Sequence, residues 1–329
     1  MGRRDDKYRL FSVEDLLTNE QIEAGKATAS GERIGRRADL DSAEMYLSKE
    51  DHLLVRGVWP HSAKKSWMVS RIVDVVGRAM TGKWPQLGYI ELYSGPGRLL
   101  DQSTGIELPG SPVEALRVRA PFDRYVFCDF DPDCVHALRE RADREDVGSR
   151  ADVRQGDAKG LSHLEQVARE FGRGTLVIAY LDPARPQDMT WATVEVLARQ
   201  LPNVDLIINL PVNSLQRAIS GPHSRDAEAR AAGAFLGHRD PRQLMQWDRT
   251  HSHNVMGTIR AIRDFYDEKL KSLGFVQPGR RVVDYPRGVP YYDLLYASRH
   301  RLGVELWDRA NPPDLPEPSL LDMGWTTGS

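Results

Sequence analysis

Several short apolar segments between residues 62 and 220 end in an acidic or amide residue, and helical segments separate them. The segment from Thr175 to Leu181 is apolar almost throughout, which is typical of a central parallel strand covered on both faces. Strands that alternate with helices predict a doubly wound, mostly parallel sheet. The carboxyl ends of parallel strands meet at one edge, where such sheets bind ligands. We therefore expect one site formed by the residues at these ends: Glu91, Asp129, Asp157, Asp182 and Asn209.

The first of these strands runs directly into a glycine turn, Tyr93-Ser-Gly95-Pro-Gly97-Arg98. Glycine allows the backbone to turn without Cβ clashes and to approach a ligand closely. Farther along, Ser111-Pro-Val-Glu114 predicts a helix with Ser111 as its N-cap. The free N–H groups at that helix start are suited to an anion or a carboxylate.

Two strand-like segments near the carboxyl end, 282–285 and 291–298, are joined by Pro286-Arg-Gly288. A turn this short predicts an antiparallel pair. A mostly parallel seven-stranded sheet ending in an antiparallel hairpin is the plan of class I methyltransferases, which use S-adenosylmethionine (SAM). A nicotinamide-dependent oxidoreductase is disfavoured, because the turn lacks a third glycine and such enzymes lack the hairpin. We therefore predict an α/β, class I methyltransferase-like Rossmann fold.

The rest of the chain is organised around this domain. Residues 1–60 are charged and poorly periodic, which predicts an N-terminal extension rather than a domain, and the segment 99–110 is expected to be a loop. The methyltransferase-like domain spans 61–310 and carries an insertion at about 221–255, rich in Arg and His, with helices or a lid. Residues 311–329 form a Pro-rich, extended tail.

Composition narrows the function classes. The 329 residues carry a net charge of −2, so any contact with nucleic acid must depend on local patches. There is neither a membrane-length apolar run nor a signal peptide. Two cysteines, Cys128 and Cys134, are too few for a disulfide framework or a cysteine zinc site and predict buried, reduced thiols in a cytoplasmic protein. His251 and His253 lack a third ligand, so no metal site is predicted.

Two basic regions are candidate contacts for nucleic acid. Lys64, Arg71 and Arg78 recur every seven residues along the first helix. They form either a solvated face or a stripe that contacts phosphates. The basic insertion at 221–255 either binds substrate or is a solvated cover.

A set of motifs makes the chain similar to a known family. Over roughly residues 58–308 it resembles the three-Cys-motif partner protein (TcmP) family. The family is named for cysteines in a partner that resembles radical-SAM enzymes, so the resemblance implies a partner of that type as well as a class I fold with SAM at the strand edge. The motifs are His61-Ser-Ala-Lys-Lys65, Tyr93-Ser-Gly-Pro-Gly-Arg98, Gly110-Ser-Pro112, Tyr180-Leu-Asp-Pro183, Asp205-Leu-Ile-Ile-Asn-Leu-Pro211, Pro290-Tyr-Tyr-Asp-Leu-Leu-Tyr-Ala-Ser-Arg-His300 and Gly303-Val-Glu-Leu-Trp307.

The chain is also similar to ribosomal-RNA adenine-N6 methyltransferases, in which the turn after the fourth strand is Asp-Pro-Pro-Tyr. Here Ala184 and Arg185 occupy the last two positions of that turn. Trp191 or Tyr180 is then expected to supply the aromatic ring against which an extruded base would stack.

The SAM-binding fold assigns a role to each residue at the sheet edge. Gly95 and Gly97 would admit the methionine part, and Tyr93 and Ser111 flank it. At the strand ends, Asp129 would accept hydrogen bonds from the ribose hydroxyls, and Glu91 would offset a positive charge of the cofactor. Asp157 would accept a hydrogen bond from the adenine amino group, and the backbone N–H of Ala158 would donate one to adenine.

Asp182 is the catalytic candidate: its carboxylate would hold an acceptor amine, and the Pro183 carbonyl would take the second hydrogen. A structural aspartate and a contact to the cofactor alone are the alternatives. The predicted function is a SAM-dependent methyltransferase acting on nucleic acid, at an amino group of a base. The alternative is a non-catalytic, methyltransferase-like subunit that recognises substrate for a radical-SAM-type partner.

Overall fold

The computed structural model describes residues 33–35, 45–220, 226–248, 250, 252–284 and 290–315. The strands in this part of the chain are β1 (Arg33–Gly35), β2 (Met45–Leu47), β3 (Leu54–Val58), β4 (Gln86–Leu92), β5 (Arg98–Asp101), β6 (Glu107–Pro109), β7 (Arg124–Asp129), β8 (Ala151–Gln155), β9 (Thr175–Leu181), β10 (Val204–Leu210), β11 (Gly279–Asp284) and β12 (Pro290–Ala297). The α-helices are α1 (Pro60–Met80), α2 (Ser111–Leu116), α3 (Pro132–Ala142), α4 (Leu161–Arg169), α5 (Trp191–Gln200), α6 (Val212–Ser220), α7 (Asp226–Leu236), α8 (Val255–Ser272) and α9 (Arg301–Ala310).

The larger sheet has seven strands in the order β8-β7-β4-β9-β10-β12-β11. Neighbours from β8 to β10 are parallel, whereas β12 is antiparallel to both β10 and β11. This arrangement confirms the predicted fold class, a doubly wound sheet ending in an antiparallel hairpin. The turn predicted at 286–288 lies outside the described residues.

The central strands are apolar because helices cover both faces of the sheet. All seven residues of β9 and all seven of β10 are buried. Successive residues of β4 point to opposite faces, so Tyr89 packs with α1, α2, α3 and α9, while Ile90 packs with α4 to α8. None of the described helices is long and apolar enough to span a bilayer.

A second sheet differs from the sequence expectation. Its order is β1-β2-β3-β5-β6, and β3 runs parallel to β5 with Arg56 opposite Leu99. The prediction of a loop over 99–110 was therefore wrong, because β5 and β6 pair within that segment. Residues 45–58, within the predicted N-terminal extension, include β2 and β3, and β3 pairs with β5 in this sheet.

The insertion and the tail are also partly described. Helix α7 fits the prediction of helices in the insertion, and its Phe235 and Leu236 are buried in the same core as β9 and β10. Asn311, at the start of the tail, is buried, and its side chain donates to the Met68 carbonyl at 3.1 Å. Arg225, Arg249 and His251 lie outside the described residues.

A buried arginine on α3 connects the two sheets. The Arg141 guanidinium donates to both carboxylate oxygens of Asp51 at 2.8 Å and to the carbonyls of Leu54 and Pro96 at 2.6 Å. Leu54 is the first residue of β3 in the small sheet, and Asp51 lies in the turn between β2 and β3. Pro96 belongs to the glycine turn after β4. A single side chain therefore fixes the small sheet against that turn.

We expect Arg141→Met to lower the free energy of unfolding by about 3 kcal/mol, because it leaves the buried Asp51 carboxylate without its main partner. Urea unfolding followed by circular dichroism measures this change. Arg144→Met is the matched control, since Arg144 is 54% exposed and lies 3.5 Å from the same carboxylate; it should change the stability by less than about 0.5 kcal/mol. Equal effects of the two variants would contradict the structure.

The same ion pair predicts a pH dependence. Burial acts to raise the pKa of Asp51, but the hydrogen bonds and charge of Arg141 outweigh it and lower this pKa to about 2. A pKa below that of the unfolded chain means that the stabilisation is present above pH 4 and is lost as the pH falls towards 2. Between pH 5 and pH 2 the free energy of unfolding of the wild type, measured by urea titration, should fall by about 2 kcal/mol more than that of Asp51→Asn. Parallel losses would be inconsistent with this pKa.

Candidate functional site

A cavity of about 390 Å³ opens at the carboxyl ends of β4 and β9. From β4 the sheet continues to β7 and β8 on one side and to β9 and β10 on the other. The order of the strands along the chain therefore reverses at this point. Such a switch point is the usual ligand crevice of an α/β sheet. The wall is formed by residues 56–59, the turn 93–97, the start of α2 at 110–112 and the segment 182–185.

Six of the predicted site residues line this cavity: Tyr93, Gly95, Gly97, Ser111, Asp182 and Pro183. The other four lie near the same sheet edge but outside the cavity wall: Glu91, Asp129, Asp157 and Ala158. The structure therefore gathers the glycine turn and the presumed catalytic residues in one place.

The glycine turn has the left-handed backbone that glycine permits, with φ of +63° at Gly95 and +82° at Gly97. A Cβ at Gly97 would lie 2.7 Å from the Leu138 side chain, so this glycine is required for packing against α3. Tyr93, at φ +71°, adopts the same region, and its hydroxyl donates to the Asp188 carbonyl at 3.0 Å.

Asp129 fastens the glycine turn to the end of β7. Its carboxylate accepts from the backbone N–H of Gly95 at 2.7 Å and from that of Asp131 at 2.9 Å. Each oxygen retains capacity for a further donor, such as a ribose hydroxyl. Asp157 is exposed and accepts from the Lys159 N–H at 2.9 Å, while Ala158 is buried. The predicted ribose and adenine roles stay predictions.

The start of α2 differs from the prediction. Gly110 is the N-cap, and Ser111 lies inside the helix with its hydroxyl donating to Glu91 at 2.5 Å. Glu91 is completely enclosed and also accepts from the Tyr89 hydroxyl at 2.9 Å. Because a buried carboxyl needs donors, Glu91 takes the hydroxyl that the sequence pattern reserves for capping.

Burial also affects the ionisation of Glu91. It raises the pKa of this carboxyl to about 8, although the hydrogen bonds from Ser111 and Tyr89 act in the opposite direction. A raised pKa favours the protonated form, which carries no charge. The predicted role of Glu91 as a counter-charge stays a prediction.

Asp182 is held by two donors, Lys65 and the strand-end residue Asn209, and the second of these belongs to the site that the sequence predicts. Its Oδ1 accepts from the Lys65 ammonium at 2.5 Å and from the Asn209 amide at 2.8 Å. Among the described residues, no donor lies within hydrogen-bonding distance of Oδ2. The carboxylate thus keeps one oxygen for a ligand, beside a lysine that reduces its negative charge.

The aromatic rings at the site are not the predicted ones. Trp191 and Tyr180 are buried in the core and cannot stack against a base, because neither presents a face to the cavity. The aromatic residues that line the cavity are instead Trp59, which is 57% exposed, Tyr93 of the glycine turn, and the adjacent pair Tyr291 and Tyr292.

The predicted basic stripe has structural contacts. Arg71 donates to the Ala310 carbonyl at 2.6 Å and lies over the Trp67 ring, so it anchors the end of α9. Arg78 pairs with Asp74 at 3.0 Å on the same helix. In the insertion, Arg242 pairs with Asp226 at 2.8 Å. Cys128 and Cys134 are buried and free, and the described residues contain no group of three or more metal-ligating side chains.

No family model matches the sequence, and no curated protein matches it either. Among solved structures, an O-methyltransferase from Bacillus cereus in complex with S-adenosylhomocysteine (SAH) is 14% identical over 86% of this chain and 92% of its own, with a TM-score of 0.43. The O-methyltransferase TomG from Streptomyces achromogenes, in complex with SAM, is 14% identical over 87% of this chain and 92% of its own, with a TM-score of 0.44. At these values the likenesses add nothing to what the strand topology itself shows.

Glu91 gives a prediction with the opposite sign to that of Asp51. A folded-state pKa above that of the unfolded chain gives stability that is present below pH 4.5 and is lost as the pH rises through 8. Glu91→Gln keeps the shape without the ionisation. Between pH 5 and pH 9 the free energy of unfolding of the wild type, measured in urea, should fall by roughly 4 kcal/mol relative to that of Glu91→Gln. Glu165→Gln, at a position where the side chain is 44% exposed, should follow the wild type. A difference in stability between wild type and Glu91→Gln that does not change with pH would refute the raised pKa.

Proposed function

We propose that this chain is a SAM-dependent methyltransferase. The observation that carries the proposal is the cavity at the switch point of a seven-stranded sheet with the class I methyltransferase strand order. The glycine turn forms one wall and Asp182-Pro183 the opposite wall, so a ligand and an acceptor can meet between them. This arrangement supports transfer from a cofactor held at the turn.

The residues present fit SAM. Positive φ at Gly95 and Gly97 exposes the backbone of the turn to the cavity, and Asp129 behind it keeps acceptor capacity. Arg56, in the cavity wall, has a buried Nε that lacks a hydrogen-bond partner. When bound, SAM would supply an electrophilic methyl group on its sulfonium. The chain has only to bind and orient the cofactor and the acceptor and to exclude water.

The finer proposal for the acceptor is an amino group of a nucleic-acid base. The vacant Oδ2 of Asp182 supports it, because this oxygen can accept one amine hydrogen while Lys65 and Asn209 keep the carboxylate oriented. The Pro183 carbonyl is the proposed acceptor for the second hydrogen. Trp59, Tyr291 and Tyr292 support it as well, since rings at the cavity wall can stack an unpaired base.

A second candidate is the non-catalytic recognition subunit of a radical-SAM-type partner, as a member of the three-Cys-motif partner family would be. The pairing of Asp182 with Lys65 favours it, because a cation 2.5 Å from the carboxylate opposes the positive charge that develops on a methylated amine. Arg185, which stands where an adenine methyltransferase has an aromatic ring, pairs instead with Asp188 at 3.1 Å.

Two measurements on the purified chain separate these functions. Calorimetry with SAM and SAH tests the cofactor, and transfer of a labelled methyl group from SAM to RNA or DNA tests the reaction. We expect Asp182→Ala to reduce transfer by roughly 10²- to 10³-fold, because it removes the group that orients the acceptor, while the Kd for SAH stays within about threefold. Asp133→Ala, at an exposed position on α3, serves as the control and should leave both unchanged.

The outcomes are distinct. Failure of the wild type to bind SAM and SAH would eliminate the proposed cofactor and with it the methyltransferase. Binding without transfer to any nucleic acid would favour the recognition subunit. Transfer that survives Asp182→Ala would remove the role assigned to this residue and leave the enzyme class intact.

A further inference from the structure

Arg56 carries a charged group into the wall of the cavity. It lies on β3 of the small sheet, well before Gly95 in the chain. A Cβ built at Gly95 would lie 3.3 Å from Cζ, 3.4 Å from one terminal nitrogen and 3.6 Å from the other. These nearly equal distances mean that the guanidinium lies face-on against the glycine. The absence of a side chain at Gly95 is therefore what makes room for Arg56.

This guanidinium contacts no carboxylate within the described residues. No carboxylate oxygen there lies within 4.0 Å of its nitrogens, and its Nε is buried without a hydrogen-bond partner. The carboxylates of Asp129 and Asp182 act on it only from farther away, and its near neighbour is the Cys134 thiol. Burial raises the pKa of Cys134 to about 12, so the sulfur is a neutral, weak acceptor. An arginine stays protonated, and a partly buried cation with no carboxylate in contact is costly.

Three other arginines in the described part of the chain, one buried and two partly buried, contact carboxylates directly. Arg141 binds both oxygens of Asp51 and two carbonyls, and Arg263 and Arg280 share the buried carboxylate of Asp293. Arg56 departs from this pattern at the place where the cavity reaches it. A charged, forked donor without a carboxylate in contact, at a ligand cavity, indicates an anionic group on the ligand.

We infer that Arg56 binds the carboxylate of the amino-acid part of SAM, and of its product SAH, through the two-pronged contact that a guanidinium makes with a carboxylate. The inference rests on the proposed function. The position agrees with it, because Arg56 lies directly on the glycine turn, beside which the methionine part of the cofactor is expected. The N-terminal small sheet thus supplies a cofactor-binding residue to the larger sheet.

Decarboxylated SAH, which lacks only the carboxylate, provides the test. In calorimetry with the wild type, it should bind roughly 10- to 100-fold more weakly than SAH, as expected for loss of a charge-assisted hydrogen-bonded pair. Arg56→Met should weaken SAH to about the same extent and leave the affinity for the analogue within about threefold. Arg98→Met is the matched control. Its arginine lies on the neighbouring strand and pairs with Glu50 and Glu107 outside the cavity, so both affinities should persist.

The result that would overturn the inference is equal binding of SAH and its decarboxylated analogue by the wild type, which leaves the proposed function standing. If the wild type binds neither compound, the proposed function fails and the inference fails with it. The comparison of the two ligands needs no variant, so equal binding would overturn the inference even if Arg56→Met does not fold. Arg56→Lys keeps the charge without the fork and should recover part of the preference for SAH.

Discussion

The cavity depends on a single cation that is not in its wall. Arg141 binds Asp51, Leu54 and Pro96, which are separated from it by 90, 87 and 45 positions in the chain. These contacts join the start of β3, and the turn before it, to the glycine turn. They therefore set the position of β3 relative to β4. Because every partner is a carboxylate or a carbonyl, the buried charge is compensated and the junction is rigid. The placement of Arg56 against Gly95 follows from this junction.

The charges around the cavity form a consistent set. Burial raises the pKa of Glu91, whereas Asp182 lies beside Lys65 and Asn209. The cavity wall carries three basic side chains, Arg56, Lys65 and Arg185, and one carboxylate, that of Asp182. A cavity with this balance favours ligands that bring a carboxylate or another anion. The zwitterionic end of SAM brings such a carboxylate, and its sulfonium brings the opposite charge towards Asp182.

The larger sheet could be predicted from sequence because its strands are apolar runs with clear ends. The limits of β9 agree with the predicted segment 175–181. The small sheet could not be predicted. Its strands have three to five residues and mixed polarity. Strand β3 pairs with β5, where Arg56 lies opposite Leu99, in a segment whose sequence resembles a loop. Such pairing leaves no periodic signal in either segment.

The site itself was predicted in part, for a related reason. The glycine turn and Asp182 follow strands and could be located by their positions at the strand ends. Asn209 could be located in the same way. Arg56 and Lys65 act through contacts between distant segments, and a basic residue at such a position has no distinctive pattern. Ser111 matched the pattern of a helix cap, but the demand of the buried Glu91 for a donor is visible only once β4 and α2 are packed.

Because Arg56 belongs to the small sheet, filling of the cavity and attachment of that sheet are linked equilibria. A ligand that contacts both β3 and the glycine turn binds only the docked arrangement, so it must shift the population towards docking. The amide hydrogens of β2 and β3 would then exchange with solvent more slowly in the presence of ligand, although that ligand touches only one residue of the pair of strands. Amide exchange in these strands would therefore report whether the cavity is occupied, although most of the cavity is built by the other sheet.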